Sequence, residues 1–153
     1  MAEGFSNVLD EKSSGSDAAL WHHFRWRCSK QLDVTMEQTN RHLGMVESAA
    51  TVSAFLKALN NGDFEDAGEL MDENVKFEGV LGSVEGRDEY VRQMAKMKLR
   101  YDVKNLLYDE HSVSVLYEID MGGKKVLTSG WYEVHDGKIT HIRVIFDPRP
   151  VLS

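Results

Sequence analysis

Two carboxylates, Glu118 and Asp120, stand two residues apart in a segment with the period of two that is typical of a β-strand. Side chains at positions i and i+2 of a strand share a face, roughly 6.5–7 Å apart. If both lie inside the fold, repulsion and desolvation raise the proton affinity of one of them, which provides an acid and a base for one ligand. The alternative is that both point to solvent near the turn at 122–123.

A tyrosine, Tyr132, is the third candidate for catalysis. Its ring would fill an apolar pocket, and its hydroxyl needs a partner when buried, so it is suited to donate a hydrogen bond to a ligand. Metal chemistry has no comparable support. His22 and His23 are adjacent, point about 100° apart on a helix and do not form an i, i+4 ligand pair. We expect neither a metal ion nor a cofactor.

Composition favours one ordinary soluble domain, with 42% hydrophobic and 28% charged residues in a chain of 153. The net charge of −7 argues against a protein that binds nucleic acid. A single cysteine, Cys28, excludes an intramolecular disulfide. No run approaches the ~18 apolar residues of a membrane span, and no secretory leader is visible. We therefore expect a cytoplasmic protein that binds no membrane.

Residues 1–45 are predicted to form an N-terminal extension. The first ~16 residues are rich in Gly, Ser, Asn and Asp and are expected to be disordered. Apolar residues four apart then predict a short amphipathic helix, with Leu20, Phe24, Cys28 and Leu32 on one face. This helix could dock over a cavity or exchange onto a second subunit.

The domain proper is predicted over 46–153. Helices are expected over about 46–60, 63–71 and 87–98, with a short strand at 75–78 and a glycine-punctuated loop at 79–86. Beyond residue 100 the period changes to two and predicts strands at about 101–108, 112–121, 124–135 and 138–147. This order indicates an α+β domain in which a curved sheet wraps around three helices.

Four segments carry a resemblance to a known family: Ala58–Phe64 (ALNNGDF), Val75–Gly82 (VKFEGVLG), Gly86–Asp88 (GRD) and Asp136–Pro150 (DGKITHIRVIFDPRP). Through them, residues 46–150 resemble the SnoaL-like (polyketide-cyclase-like) branch of the nuclear transport factor 2-like superfamily. The resemblance implies a cone-shaped, cystatin-like fold with a mixed or antiparallel sheet. It also implies an apolar pocket inside the cone and a homodimer formed through the outer face of the sheet.

The resemblance does not settle the chemistry, because two known catalytic sets are incomplete here. The limonene epoxide hydrolase branch uses an Asp-Arg-Asp set, and Asp120 is the one residue of this chain that matches it. Glu118 and Val144 occupy the other two positions. The ketosteroid isomerase branch needs an acid where this chain has Gly130. Both known routes are therefore disfavoured.

The pocket lining follows from alternation along the last strands. If Val144 faces inward, so do its neighbours two residues away and their partners on the preceding strand, whereas Trp131 faces outward and suits a dimer interface. The candidate ligand pocket comprises Phe55, Phe77, Tyr90, Met94, Thr128, Ile142, Val144 and Phe146.

Two functions remain open at this point. The first is a cofactor-independent isomerase, cyclase or hydrolase acting on a small, largely apolar metabolite. In it, Glu118 or Asp120 is the acid or base and Tyr132 is the hydrogen-bond donor. The second is a non-catalytic ligand-binding or dimerisation module of the same fold.

Overall fold

The computed structural model describes the backbone of residues 17–153 and the side chains of residues 36–153. The chain divides into two compact units, Met1–Asn40 and Arg41–Ser153. The predicted disorder of the first ~16 residues and the side chains of the predicted stripe, including His22, His23 and Cys28, lie outside the described residues.

Helix α1 spans Asp17–Asn61 without interruption, whereas the sequence predicts two separate helices in this region. The predicted break between residues 32 and 46 is therefore wrong. That stretch contains no proline and only one glycine, Gly44, so no residue in it forces the backbone out of the helical conformation.

The remaining elements lie in the second unit. In chain order they are α2 (Phe64–Glu69), β1 (Met71–Gly79), β2 (Gly82–Glu85), α3 (Arg87–Met97), β3 (Arg100–Tyr108), β4 (Ser112–Asp120), β5 (Lys125–His135), β6 (Lys138–Phe146) and α4 (Arg149–Leu152). The predicted α+β class and the four consecutive strands are confirmed. The structure differs in the segment predicted as a loop, where β1 and β2 form a hairpin.

The six strands form one sheet in the order β2-β1-β6-β5-β4-β3. Strand β1 runs parallel to β6, and every other pair is antiparallel. The sheet is therefore mixed. Its buried face contacts α1 through Phe55, whose ring centroid lies 6.2 Å from that of Tyr132. In the described part of the chain, no helix is both long enough and apolar enough to cross a membrane.

The end of α1 is tied to the edge strand β3 by one side chain. The Asn60 amide donates to the carbonyl oxygen of Tyr101, and the Tyr101 backbone N–H donates to the Asn60 side-chain oxygen, each at 2.8 Å. Asn60 thus bonds the backbone groups that an edge strand leaves without a strand partner. This contact fixes the point at which β3 directs Tyr101 toward the interior.

Asn60→Ala should lower the free energy of unfolding by about 1–3 kcal/mol, because two hydrogen bonds are lost together. Urea denaturation followed by circular dichroism measures the change. The matched control is Asn61→Ala, at the next and equally exposed position. Equal losses in the two variants would contradict this role for Asn60.

Candidate functional site

A cavity of about 240 Å³ lies between α3, the β1–β2 turn and the buried face of the sheet. Its floor consists of Tyr90, Tyr117 and Tyr132, which are almost completely buried. Its mouth is marked by three lining side chains that are largely exposed, Val80, Leu81 and Met97. The cavity therefore runs from a closed, aromatic floor to an open, apolar mouth.

The polar side chains of the cavity wall are those of four tyrosines, Ser83 and Gln93. Among the described residues that line the cavity there is no acidic, basic, histidine or cysteine side chain. Across the described side chains as a whole, no three His, Cys, Asp or Glu residues are grouped so that they could hold a metal ion.

Two of the floor hydroxyls contact each other: the Tyr117 and Tyr132 oxygens lie 3.1 Å apart. A phenol carries one proton, so one member of the pair donates to the other and the second proton remains available to a ligand. The Tyr90 hydroxyl makes no hydrogen bond with any residue in the described part of the chain. The floor therefore has hydrogen-bonding capacity that the protein itself does not use.

A fourth tyrosine, Tyr101, extends this cluster toward α3. Its ring meets the Tyr117 ring edge-on, with centroids 5.4 Å apart, and its hydroxyl lies 3.7 Å from the sulfur of Met94. A thioether is a weak acceptor, so this hydroxyl is only loosely held.

Burial keeps these tyrosines protonated. Desolvation raises the pKa of Tyr117 to about 12, although its hydrogen bond with Tyr132 acts in the opposite direction. Desolvation, aided by neighbouring tyrosines, raises the pKa values of Tyr90, Tyr101 and Tyr132 further. At neutral pH all four groups are therefore neutral O–H donors, and none of them serves as a base.

The floor depends on a glycine. A Cβ atom at Gly130 would lie 2.6 Å from the Tyr117 hydroxyl oxygen and 2.8 Å from Cε2 of Tyr132. Only the absence of a side chain lets both rings occupy this space. Gly130, where the isomerase comparison expects an acid, thus makes room for the tyrosine pair.

Most residues predicted for the pocket do meet there. The cavity wall includes Tyr132 and five of the predicted pocket residues, Phe77, Tyr90, Met94, Val144 and Phe146. The other three, Phe55, Thr128 and Ile142, are fully buried behind the wall. Phe55 packs against the rings of Tyr90 and Tyr132, and the Thr128 hydroxyl donates to the carbonyl of Val126.

Of the two positions that the sequence leaves open for Glu118 and Asp120, the inward one is wrong. Strand β4 buries the alternate residues on either side of Glu118, so both carboxylates lie on the opposite face of the sheet and neither lines the cavity. The Glu118 carboxylate lies 3.6 Å from the ammonium group of Lys125. The Asp120 carboxylate accepts a hydrogen bond from the Gly123 backbone N–H at 2.6 Å.

The physical reason is the hydrophobic effect acting on the whole strand. The residues of β4 alternate between an apolar set and a set that contains the two carboxylates. Burying the apolar set removes more apolar surface from water than burying the other set would, and it avoids desolvating two carboxylates. The sequence contains the signal for this orientation, namely an alternating apolar set of Val113, Val115, Tyr117 and Ile119. Reading it would have added Tyr117 and Ile119 to the candidate site.

Comparisons with known proteins identify the class to which this fold and cavity belong. The sequence model of the SnoaL-like domain matches residues 52–142. A nuclear transport factor 2-like protein of unknown function from Cytophaga hutchinsonii is 38% identical, with a TM-score of 0.66, over 67% of this chain and 92% of its own. The chain therefore belongs to the SnoaL-like family, as the sequence motifs predict.

More distant structures show the variety of this fold. An LEH-like epoxide hydrolase from M. tuberculosis is 26% identical, with a TM-score of 0.61, over 71% of this chain and 88% of its own. A putative ketosteroid isomerase from Kribbella flavida, 21% identical with a TM-score of 0.63 over 67% of this chain and 79% of its own, shares the fold alone. No curated protein matches the sequence.

Gly130→Ala should lower the free energy of unfolding by about 1–3 kcal/mol, because the new methyl group overlaps the Tyr117 hydroxyl. Tyr117→Phe removes that oxygen, so part of the loss should be recovered in the double variant. Urea denaturation of both single variants and the double variant gives the coupling. Ser129→Ala, on the exposed face of the same strand, is the control. Additive effects would contradict the contact.

Proposed function

We propose that this protein binds a small, largely apolar molecule in the cavity, and that the buried tyrosine hydroxyls donate a hydrogen bond to an oxygen of that molecule. The observation that carries the proposal is the floor itself. Its polar groups are neutral hydroxyls, set in an otherwise apolar wall.

The size and chemistry of the cavity define the ligand. A volume of about 240 Å³ lies just below the roughly 300–1,000 Å³ of pockets for drug-sized ligands, so the ligand is small. Apolar burial supplies most of the affinity, at roughly 25 cal/mol per Å². No cation lies among the described floor residues, so the atom that reaches the floor is a neutral acceptor such as a carbonyl, ether or hydroxyl oxygen.

The same chemistry favours binding over acid–base catalysis. Proton transfer near neutral pH requires a group that changes charge near that pH, and the tyrosines of the floor do not. Glu118 and Asp120, on the other face of the sheet, do not reach a ligand in the cavity. We therefore place the non-catalytic module ahead of the acid–base enzyme.

A second candidate function is a cofactor-independent reaction that requires only polarisation of a ligand oxygen. The Tyr117–Tyr132 pair supports it, because hydrogen-bond donors fixed in a dry site stabilise negative charge that develops on such an oxygen. In this alternative Tyr132 and Tyr117 are the catalytic residues.

Binding can be tested with N-phenyl-1-naphthylamine, a neutral dye that fluoresces in apolar sites. Each member of a matched pair of ligands is then used to displace the dye, and the fall in fluorescence gives its affinity. We expect 2-acetylnaphthalene, which has a carbonyl oxygen, to bind about two- to tenfold more tightly than 2-ethylnaphthalene. The double variant Tyr117→Phe/Tyr132→Phe should remove this preference and still bind the dye.

Tyr108→Phe, which alters an exposed tyrosine, is the control and should retain the preference. Failure of the wild-type protein to bind the dye would refute binding in the cavity. A preference for the acetyl compound that persists in the double variant would refute the role of the hydroxyls.

We also propose that a second copy of this chain covers the outer face of the sheet. Large apolar side chains are exposed there: Leu116, Leu127, Trp131 and Ile145. Leu116 pairs with Ser129, which in turn pairs with Ile145, so these residues lie in one row across β4, β5 and β6. Such a patch is more typical of an interface than of a surface that remains in water.

Trp131→Glu should therefore weaken self-association at least tenfold, because an aromatic anchor of the proposed interface is replaced by a charge. Light scattering coupled to size-exclusion chromatography measures the mass. Leu152→Glu, an equivalent change at an exposed apolar residue of α4, should leave the mass unchanged. A wild-type protein that is monomeric at high concentration would contradict the dimer.

A further inference from the structure

Three large apolar side chains at the mouth of the cavity are left in contact with water. Val80, Leu81 and Met97 line the cavity and are 43%, 58% and 49% exposed. None of them belongs to the hydrophobic core or to the partly buried side chains packed against it. They are called the apolar collar below. The core of the fold does not depend on these side chains, so their apolar surface is available to a molecule that enters the cavity.

Two of the collar residues occupy a position at which large apolar residues are unusual. Gly79 pairs with Gly82 in the β1–β2 hairpin, so Val80 and Leu81 form its two-residue turn. Such turns favour Gly, Asn, Asp and Ser, which fit the backbone and remain hydrated. Neither the turn nor the core therefore accounts for a valine and a leucine here, whereas contact with an apolar ligand would.

Helix α3 leads from the floor of the cavity to the collar. Tyr90, at the floor, and Met97, in the collar, lie on one face of this helix and are separated by roughly 10 Å along its axis. Gln93 and Met94, between them, also line the cavity. The Gln93 amide nitrogen donates to the Glu89 carboxylate at 2.9 Å, so this donor already has a partner on its own helix. The path from floor to collar is thus mainly apolar.

We infer that the ligand extends from the floor to the mouth of the cavity, and that the apolar collar binds the end of its chain and so selects ligands by length. An extended carbon chain advances roughly 1.2 Å per bond, so about eight bonds span the distance from the floor to the collar. The ligand class is a neutral carbonyl compound with an apolar chain of at least this length. This inference rests on the proposed function, because it presumes that the floor holds an oxygen of the ligand.

A second copy of this chain is a less suitable occupant of the collar. The surface proposed for self-association lies on the outer face of the sheet, where Leu116, Trp131 and Ile145 are exposed. The cavity lies on the other face, toward which Tyr132 points. A copy bound to the outer face therefore leaves the mouth uncovered. Contact with the cavity is the feature that the three collar residues share.

The experiment compares two ketones that differ only in chain length, 2-hexanone and 2-decanone, as competitors of N-phenyl-1-naphthylamine. From a carbonyl at the floor, the shorter chain ends about halfway and the longer one reaches the collar. The test variant is Val80→Ser/Leu81→Ser, since serine suits a turn. The control variant, Leu43→Ser/Val46→Ser, replaces the same two residue types on α1, where they are exposed and do not line the cavity.

We expect the test variant to bind 2-decanone about three- to tenfold more weakly than the control variant does, because one or two methylenes lose their apolar contacts. Both variants should bind 2-hexanone equally. Met97→Ser, which alters the collar from α3, should show the same dependence on chain length. The affinity of the dye for each variant is measured first, so that displacement yields the affinity of the ketone. Thermal melting establishes that each variant is folded.

The outcomes separate this inference from the proposed function. If the dye binds and the test and control variants bind 2-decanone equally, the collar is overturned and the proposed function stands. If the test variant binds both ketones more weakly to the same extent, the collar residues act through the shape of the cavity and the inference is also overturned. If the dye does not bind at all, the proposed function fails and the inference fails with it. Loss of self-association in the test variant alone, measured by light scattering, would assign the collar to a second copy instead.

Discussion

The contact between the hydroxyls of Tyr117 and Tyr132 is the constraint around which the site is organised. It requires both rings to share a space that a Cβ at Gly130 would fill, and it requires β4 to turn Tyr117 inward. Because alternate residues of a strand face opposite ways, the same choice directs Glu118 and Asp120 outward. The orientation of β4 that forms this pair thus also decides what the cavity contains and what it lacks.

The cavity is graded in polarity from floor to mouth. The floor has neutral donors whose pKa values are raised by burial, and the wall and the mouth are apolar. The absence of charge at the floor follows from desolvation, since a charge buried there would be costly. Asn60 supports the arrangement from α1 by holding the backbone of β3 at Tyr101.

Membership of the SnoaL-like family accounts for the architecture and leaves the chemistry to the floor residues. Positions at which relatives are expected to place acids hold Gly130 and Val144 here, and a tyrosine pair occupies the space instead. A fold with an apolar cavity can serve binding or catalysis, depending on which side chains the strands direct inward. In this chain those side chains are suited to hold an oxygen in place.

The sequence alone determined the α+β class, helix α3, the four consecutive strands and the inward residues of β5 and β6, because each of these follows from local periodicity. It also contains the alternation that directs Tyr117 inward, in the apolar set Val113, Val115, Tyr117 and Ile119. Only the tertiary structure decided that α1 is continuous and that residues 82–85 pair with β1. The same holds for the convergence of Tyr90, Tyr101, Tyr117 and Tyr132, which come from one helix and three strands. Their convergence depends on packing between distant elements, and no local pattern encodes a contact of that kind.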